Sequence, residues 1–240
     1  MADQPITGAY KELDAPEDGF DDARDDVYSY EKMRNEKTPY GQRTSELGVI
    51  DEGLQPGVKT LVTMSPTIYG VGGGEINKCS IQVPGYVKAT LGNGQAAVVS
   101  EGNGVWDNVH VEDLAELYTL CVLIVLERVN VDLPTGKKGI IFSGTARHTW
   151  AERAQGVADA AYEARKIKTK EVKHVSLDEA AKIFTASGGD EFRIEWGLSS
   201  NSRTKTPVAK EKLGWKPRKG PENWKSGFAE EVKAAIEKAL

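Results

Sequence analysis

Three histidines, two cysteines, one glycine-rich run and two charge clusters could do chemistry, and spacing decides what each can do. His110, His148 and His174 stand apart with no H-E-x-x-H or comparable pattern, so no metal site is expected. Cys79 and Cys121 are too few for a disulfide framework or a cysteine-built zinc site, and suit a reducing compartment. Gly70-Val71-Gly72-Gly73-Gly74 is not followed by Gly-Lys-(Ser/Thr), and Asn77-Lys78-Cys79 does not substitute, so the run reads as a loop rather than a phosphate cradle. Glu12, Asp14, Glu17, Asp18, Asp21, Asp22, Asp25 and Asp26 crowd together without the alternating ligands, central Gly and closing Glu of a calcium loop. Mutually repelling carboxylates of this kind read as a solvated loop. The basic residues Lys205, Lys210, Lys212, Lys216, Arg218, Lys219 and Lys225 have only Trp215 and Trp224 as aromatic company, and read as a solvated face rather than a nucleic-acid surface. No G-x-S-x-G elbow marks a serine hydrolase.

The elements that must position any site follow from the rest of the pattern. The chain has 240 residues, 39% hydrophobic and 28% charged, with 31 Lys+Arg against 36 Asp+Glu and a formal charge of −5. This is a globular composition with a sizeable core, and its acidic balance argues against coating nucleic acid. Charge is uneven: residues 1–60 hold 7 basic and 14 acidic side chains, residues 201–240 hold 10 and 5. The start, MADQPITGAYKEL, has neither the basic nor the apolar region of a secretory signal. The longest apolar run, Leu120 to Leu126, is too short to span a bilayer. The default expectation is a cytoplasmic protein with no membrane partner.

Helices are expected over Tyr40–Gly53, over Ser80–Leu91 with an interruption near Pro84, and over Glu112–Arg128. Capping boxes at Thr149/Glu152 and Ser176/Glu179 start helices that run to about Arg165 and Phe184. Thr206-Pro207 opens another that Gly214 stops, and residues 221–239 form the last. Strands are expected at Val58–Thr63, Ala96–Ser100 and Gly139–Phe142. The alternation means an α/β layer architecture, yet three short strands cannot complete a doubly wound sheet.

Four strings then stand in an order that resembles a known family. They are Pro39-Tyr40-Gly41; Pro66-Thr67-Ile68-Tyr69-Gly70; Trp106-Asp107-Asn108-Val109-His110-Val111-Glu112-Asp113-Leu114-Ala115; and Ser202-Arg203-Thr204 through Lys212-Leu213-Gly214-Trp215-Lys216-Pro217. Together they resemble the extended short-chain dehydrogenase/reductase family, of NAD(P)-dependent epimerase/dehydratase type, over roughly residues 38–218. The resemblance implies a Rossmann-like NAD(P)-binding fold whose first βα units, with their G-x-x-G-x-x-G turn, are missing from this chain. It divides the chain into an acidic loop-rich segment (1–38), a C-terminal part of the dinucleotide-binding fold (39–78), a mixed substrate-binding part with the remaining Rossmann elements (79–220) and a C-terminal helix (221–240).

What the resemblance implies for chemistry is specific. The family's general acid/base is a tyrosine assisted by a lysine four residues on. Tyr40 matches the tyrosine, but Thr44 holds the lysine position and cannot supply charge; Arg43 beside it is the candidate substitute. Tyr28-x-x-x-Lys32 satisfies the pattern too, but lacks the neighbours and the distance to Pro66 that favour Tyr40. Tyr40, Pro66, Thr67, Ile68 and Tyr69 would contact the cofactor, NAD or NADP held non-covalently with no metal. Trp106 and His110 are the candidate substrate-pocket residues, with core packing the alternative at Trp106 and a structural turn the alternative at His110. Nucleotide-sugar members carry arginine where Trp106 stands, so the expected substrate is a small carbonyl or alcohol and not a nucleotide sugar. The alternative function is a non-catalytic NAD(P)-binding regulatory or partner-binding protein. A homodimer through the Tyr40 helix and the Glu112–Arg128 helix is the expected assembly.

Overall fold

In the computed structural model, which describes residues 16, 18–76, 78–127, 131–184 and 191–238, short parallel strands alternate with helices. Glu12, Asp14 and Glu17 of the acidic run, Asn77, the Arg128 end of the long helix and residue 239 lie outside the described residues. Strand β1 (Phe20–Asp21) leads into α1 (Val27–Lys37), whose N-cap Asp26 accepts the Ser29 N–H at 3.0 Å. Helix α2 (Gly41–Leu54) and strand β2 (Val62–Met64) follow, the strand lying later than the β-branched run at Val58 suggested. Then come β3 (Thr67–Tyr69), α3 (Gln82–Asn93), β4 (Ala97–Val99), β5 (Val105–His110) and α4 (Val111–Val125). Pro84 does not interrupt α3, because it falls in the first turn, where a missing N–H costs no intrahelical bond. Gly94 closes that helix in the left-handed region, φ 74°.

The second half contributes β6 (Ile140–Phe142), β7 (Ala146–Thr149), α5 (Trp150–Glu163), β8 (Lys173–Val175), α6 (Leu177–Phe184), α7 (Glu191–Leu198) and β9 (Thr204–Lys205). A π-helical turn at Val208–Lys212 takes the place of the expected α-helix after Pro207, and α8 (Pro221–Lys238) ends the described chain. Both expected capping boxes form: Thr149 and Glu152 exchange bonds of 2.7 and 3.0 Å, Ser176 and Glu179 bonds of 3.0 and 3.2 Å.

The strands pair as β1 with β9, β2 with β6, and β4 with β8, all parallel, while β5 lies between parallel β3 and antiparallel β7. The α/β class with parallel strands is therefore as expected, and β2–β6 stays a two-stranded sheet among the described residues. Three apolar clusters matter for the site. One packs α1 and α2 on β2 and β6 through Tyr28, Leu47, Ile50, Met64 and Phe142. A second, around Tyr69, Trp150, Trp224 and Phe228, joins the β3–β5–β7 sheet to α3, α5 and α8. The third holds α4 on Val109 and Ile141 and includes Trp215, whose indole donates to the Asp113 carbonyl at 3.0 Å. Trp215 and Trp224 are both buried, so neither offers a face on which a base could stack. No described helix is long and apolar enough to cross a membrane.

Candidate active site

Tyr40 sits at the N-cap of α2 in extended backbone, φ −133°, with its ring 44% exposed. Two bonds to one oxygen hold this corner: the Tyr40 N–H and the Thr44 hydroxyl both donate to Asn35 Oδ1, at 3.2 and 3.0 Å. Thr44 thus braces the α1–α2 connection instead of meeting the phenol. Arg43 is buried, donating from Nε to Glu31 Oε2 at 2.5 Å and from Nη1 to the Thr38 carbonyl at 3.2 Å. Its guanidinium lies over the rings of Trp196, at 4.9 Å, and Tyr40, at 5.8 Å. Its guanidinium is thus paired with Glu31 while it lies over both ring faces.

Strand β3 is linked to this corner through α7. The Tyr40 ring packs 5.0 Å from Trp196; the neighbouring Gly197 carbonyl accepts from Gln82 Nε2 at 3.1 Å; and Gln82 Oε1 accepts from the Thr67 hydroxyl at 2.5 Å. Along β3 the side chains alternate, as a strand requires: Thr67 and Tyr69 are buried, while Ile68, like the preceding Pro66, is half-buried. Tyr69 is 2% exposed and stands edge-on to His110 and Trp224, 5.0 Å from each. Burial, with Asp113 and Glu231 nearby, pushes its phenol up to about 12. Tyr69 is accordingly a core residue beneath α8, and Pro66 and Ile68 are the members of this segment with surface to offer.

The two expected pocket residues are also structural in their contacts. Trp106 is half-buried, donates from its indole to Ser200 Oγ at 3.2 Å and packs 5.2 Å from Trp150. His110 caps α4, its Nδ1 accepting the Glu112 N–H at 3.2 Å. Burial, and then Lys219, hold His110 below the usual imidazole range. Gly70, at φ +87°, is needed here, because a Cβ would lie 2.3 Å from His110 Nε2. Its N–H donates to the buried Glu231 at 2.6 Å, and burial, with Glu230 adding to it, pushes that carboxyl up to about 7.

Tyr28 and Lys32 do make the contact that their spacing allows. Lys32 Nζ donates to the Tyr28 hydroxyl at 3.0 Å, and that hydroxyl donates to Asp51, which Lys32 also reaches at 3.4 Å. Lys137, just before β6, lies 5.0 Å from the Tyr28 ring. This group therefore occupies the N-terminal edge of β6. Asp51 is in the last turn of α2 and Tyr40 at its start, a separation of about 16 Å along a helix.

A dinucleotide finds only part of what it needs. Gly70 to Gly74 form an open loop tied by the Gly72 N–H to the Lys78 carbonyl at 2.7 Å, and α3 does not start until Gln82. That is not a tight turn from a strand into a helix N-terminus, so this loop is not a pyrophosphate cradle. Among them no group of three or more His, Cys, Asp or Glu is placed to hold a metal ion.

No protein-family profile matches the chain. It is 26% identical over 186 residues to Oxidase ucsJ of an Acremonium species, an overlap of 73% of this chain and 51% of that protein. Among solved structures it superposes on the UDP-glucose 4-epimerase of Thermus thermophilus in complex with NAD, with a TM-score of 0.52 and 20% identity over 83% of this chain and 54% of that one. For DesIV, the dTDP-glucose 4,6-dehydratase of Streptomyces venezuelae with NAD and TYD bound, the values are 0.54 and 16%, over 83% and 51%. The chain has the epimerase/dehydratase fold. It spans about half the length of the relatives it matches. This fold is Rossmann-like, with α2, β2 and β3 following one another in the chain.

The partners of Tyr40 were not visible in the sequence. Trp196 comes from α7, and Glu31, which holds the neighbouring Arg43, from α1; no periodicity marked either helix, and α1 buries a mixed face of Val27, Tyr28, Glu31 and Arg34. The available signal was the charge spacing Glu31–Arg34 within one turn.

Proposed function

We propose that this chain carries the substrate-facing part of an NAD(P)-dependent oxidoreductase of epimerase/dehydratase type, with Tyr40 as the proton donor or acceptor. The observation that carries the reading is the exposed Tyr40 ring at the start of α2, held against Trp196 and through Gly197, Gln82 and Thr67 to β3. Pro66 and Ile68 are the residues of the β3 segment open enough to wall a nicotinamide, which supplies or accepts the hydride when bound. The Gly70–Gly74 loop is not built to cradle the pyrophosphate of NAD or NADP, so the reading leaves those contacts to other residues. Thr44 stands where the resemblance would place the assisting lysine.

The substrate in this reading is a small carbonyl or alcohol. The epimerase and dehydratase neighbours act on sugar nucleotides, but Trp106 stands where such enzymes place an arginine, and here it is packed on Trp150 and bonded to Ser200. No cation takes that position, and charge-assisted pairing is what a diphosphate needs. Calorimetric titration with NAD(H) and NADP(H), with and without the Tyr40→Phe substitution, tests the proposal. Binding unchanged by Tyr40→Phe, together with loss of hydride transfer by at least a hundredfold, supports Tyr40 as acid/base. Turnover unaffected by that substitution removes the role.

A second reading is favoured by Thr44 and Arg43. Both are committed to other partners, as a site that binds a dinucleotide without turning it over would allow. Binding of NAD or NADP without hydride transfer to any carbonyl, in the unaltered chain and in Thr44→Lys, would select it. Binding of neither cofactor by a chain extended with the glycine-turn βα units would overturn both readings.

A further inference from the structure

One cavity of the structure lies away from Tyr40. It is a cleft of about 520 Å³ at the C-terminal ends of β6 and β9, within the range of small-molecule sites. The ends of parallel strands are where open α/β sheets place ligands. We propose that this cleft is a separate binding site for a small hydroxylated oxyanion, a carboxylate or a phosphate ester, recognised by Arg147.

The site is built around a buried carboxylate. Asp107 is 3% exposed and accepts three hydrogen bonds: from Arg147 Nε at 2.6 Å, from the Thr204 N–H at 2.5 Å and from the Thr204 hydroxyl at 2.8 Å. Arg147 and Asp107 are cross-strand partners on β7 and β5, so their side chains share one face of the sheet. With Nε fixed on Asp107, the plane of the guanidinium is set. Its Nη2 reaches only the Thr204 carbonyl, at a long 3.5 Å, and Nη1 meets no acceptor among the described residues. A planar fork presented in this way is matched by the two oxygens of a carboxylate or phosphate.

The walls are fixed by independent contacts. Asp22 accepts the Phe142 N–H at 2.9 Å and the Val208 N–H at 3.0 Å, tying the end of β6 to the turn that carries Lys210. A Cβ on Gly144 would stand 3.1 Å from both the Asp107 Cβ and the Thr204 hydroxyl, so the backbone comes close at that point. Lys210 adds a second cation to the lining, while Lys205 is engaged with Asp18. Asp21, which accepts the Ala23 N–H, and Glu211 line the same cleft and suit the hydroxyl groups of the ligand. The proposal involves no dinucleotide and stands apart from the function argued for Tyr40.

The test is a titration of the 240-residue chain with inorganic phosphate, glycerol phosphate and glycerate at constant ionic strength, followed by calorimetry and by the Arg147 Nε–H resonance. The expected result is saturable binding of at least one, with a shift of that resonance and weakening by tenfold or more in Arg147→Gln. Arg147→Lys should fail to restore it, and Lys210→Gln should weaken it two- to threefold. A preference for glycerol phosphate or for glycerate identifies which oxyanion the site takes. Absence of saturable binding by all three overturns the proposal, as does an Arg147→Gln protein that binds as the unaltered chain does. The resonance in the unaltered protein keeps the outcome decisive even if a variant fails to fold.

Discussion

Tyr28 and Tyr40 lie at opposite ends of α2, and each has what the other lacks. Tyr28 has a lysine at hydrogen-bonding distance. It sits, however, beside Lys137 at the N-terminal edge of β6, is 3% exposed, and its hydroxyl donates a hydrogen bond to Asp51. Tyr40 is open, at the end of α2 remote from the Gly53–Thr60 contact where β2 begins, but Thr44 faces Asn35 and Arg43 faces Glu31. The difference teaches that a four-residue spacing guarantees a contact and nothing more. Which end of a parallel sheet the pair occupies decides whether a ligand can meet it.

The comparison breaks most visibly at Arg43. Arg43→Ala should destabilise the chain by about 3–5 kcal/mol, because it leaves the buried Glu31 with only Arg34, 3.6 Å away. The urea-unfolding free energy checks this. A change below about 1 kcal/mol would mean that the Tyr40 corner does not rest on this pair.

Next in size is a pH effect centred on Glu231, which ties α8 to the Gly70 end of β3. Its folded-state carboxyl, at about 7, lies above the ordinary 4.5, so the folded chain binds the proton more tightly than the unfolded chain. Stability from this group is complete below about pH 4.5 and is lost as pH rises through 7, about 3 kcal/mol in all. His148 runs the other way. Burial, and then Arg153, lower it to about 3, so its contribution is present above 6.5 and lost as pH falls. Glu231→Gln keeps an acceptor for the Gly70 N–H and should flatten the decline between about pH 5 and 8. An unchanged slope in unfolding free energy would show that Glu231 does not titrate in this window.

How much of this was legible depends on the range of the interaction. The capping boxes at Thr149 and Ser176 and the stop at Gly94 are written within four residues of chain, and both capping boxes form. Strands β3, β7 and β8 escaped notice because their Thr, Arg, His and Lys residues break the apolar run that marked β4 and β6. Strand β5 is longer, but it buries Asp107 and Asn108, so polarity hid it. At the Tyr40 site the tyrosine and the β3 segment could be read from ordered strings, whereas Glu31, Trp196 and Gln82 act from other elements. Their contacts with that corner exist only once the chain has folded.

A smaller effect sharpens the contrast from the Tyr28 side. Tyr28→Phe removes a hydroxyl bonded to both Asp51 and Lys32, but these partners are 41% and 46% exposed and water replaces them in part. A loss of about 1 kcal/mol is expected, with dinucleotide binding unchanged. Weakened binding of NAD or NADP in this variant would move the candidate chemistry to the other end of α2.

The smallest expected change in stability is at Tyr40 itself. Its hydroxyl bonds no protein group among the described residues, and Phe keeps the ring that packs on Trp196 and under Arg43. Tyr40→Phe should therefore leave the urea-unfolding free energy within about 0.5 kcal/mol of the unaltered chain. The same substitution is the one expected to abolish turnover. A residue that costs nothing to the fold but everything to the reaction is placed for chemistry, and Tyr28 shows the opposite balance. Loss of more than about 1 kcal/mol in Tyr40→Phe would reverse that assignment, since the phenol would then be serving the corner between α1 and α2 instead of a ligand.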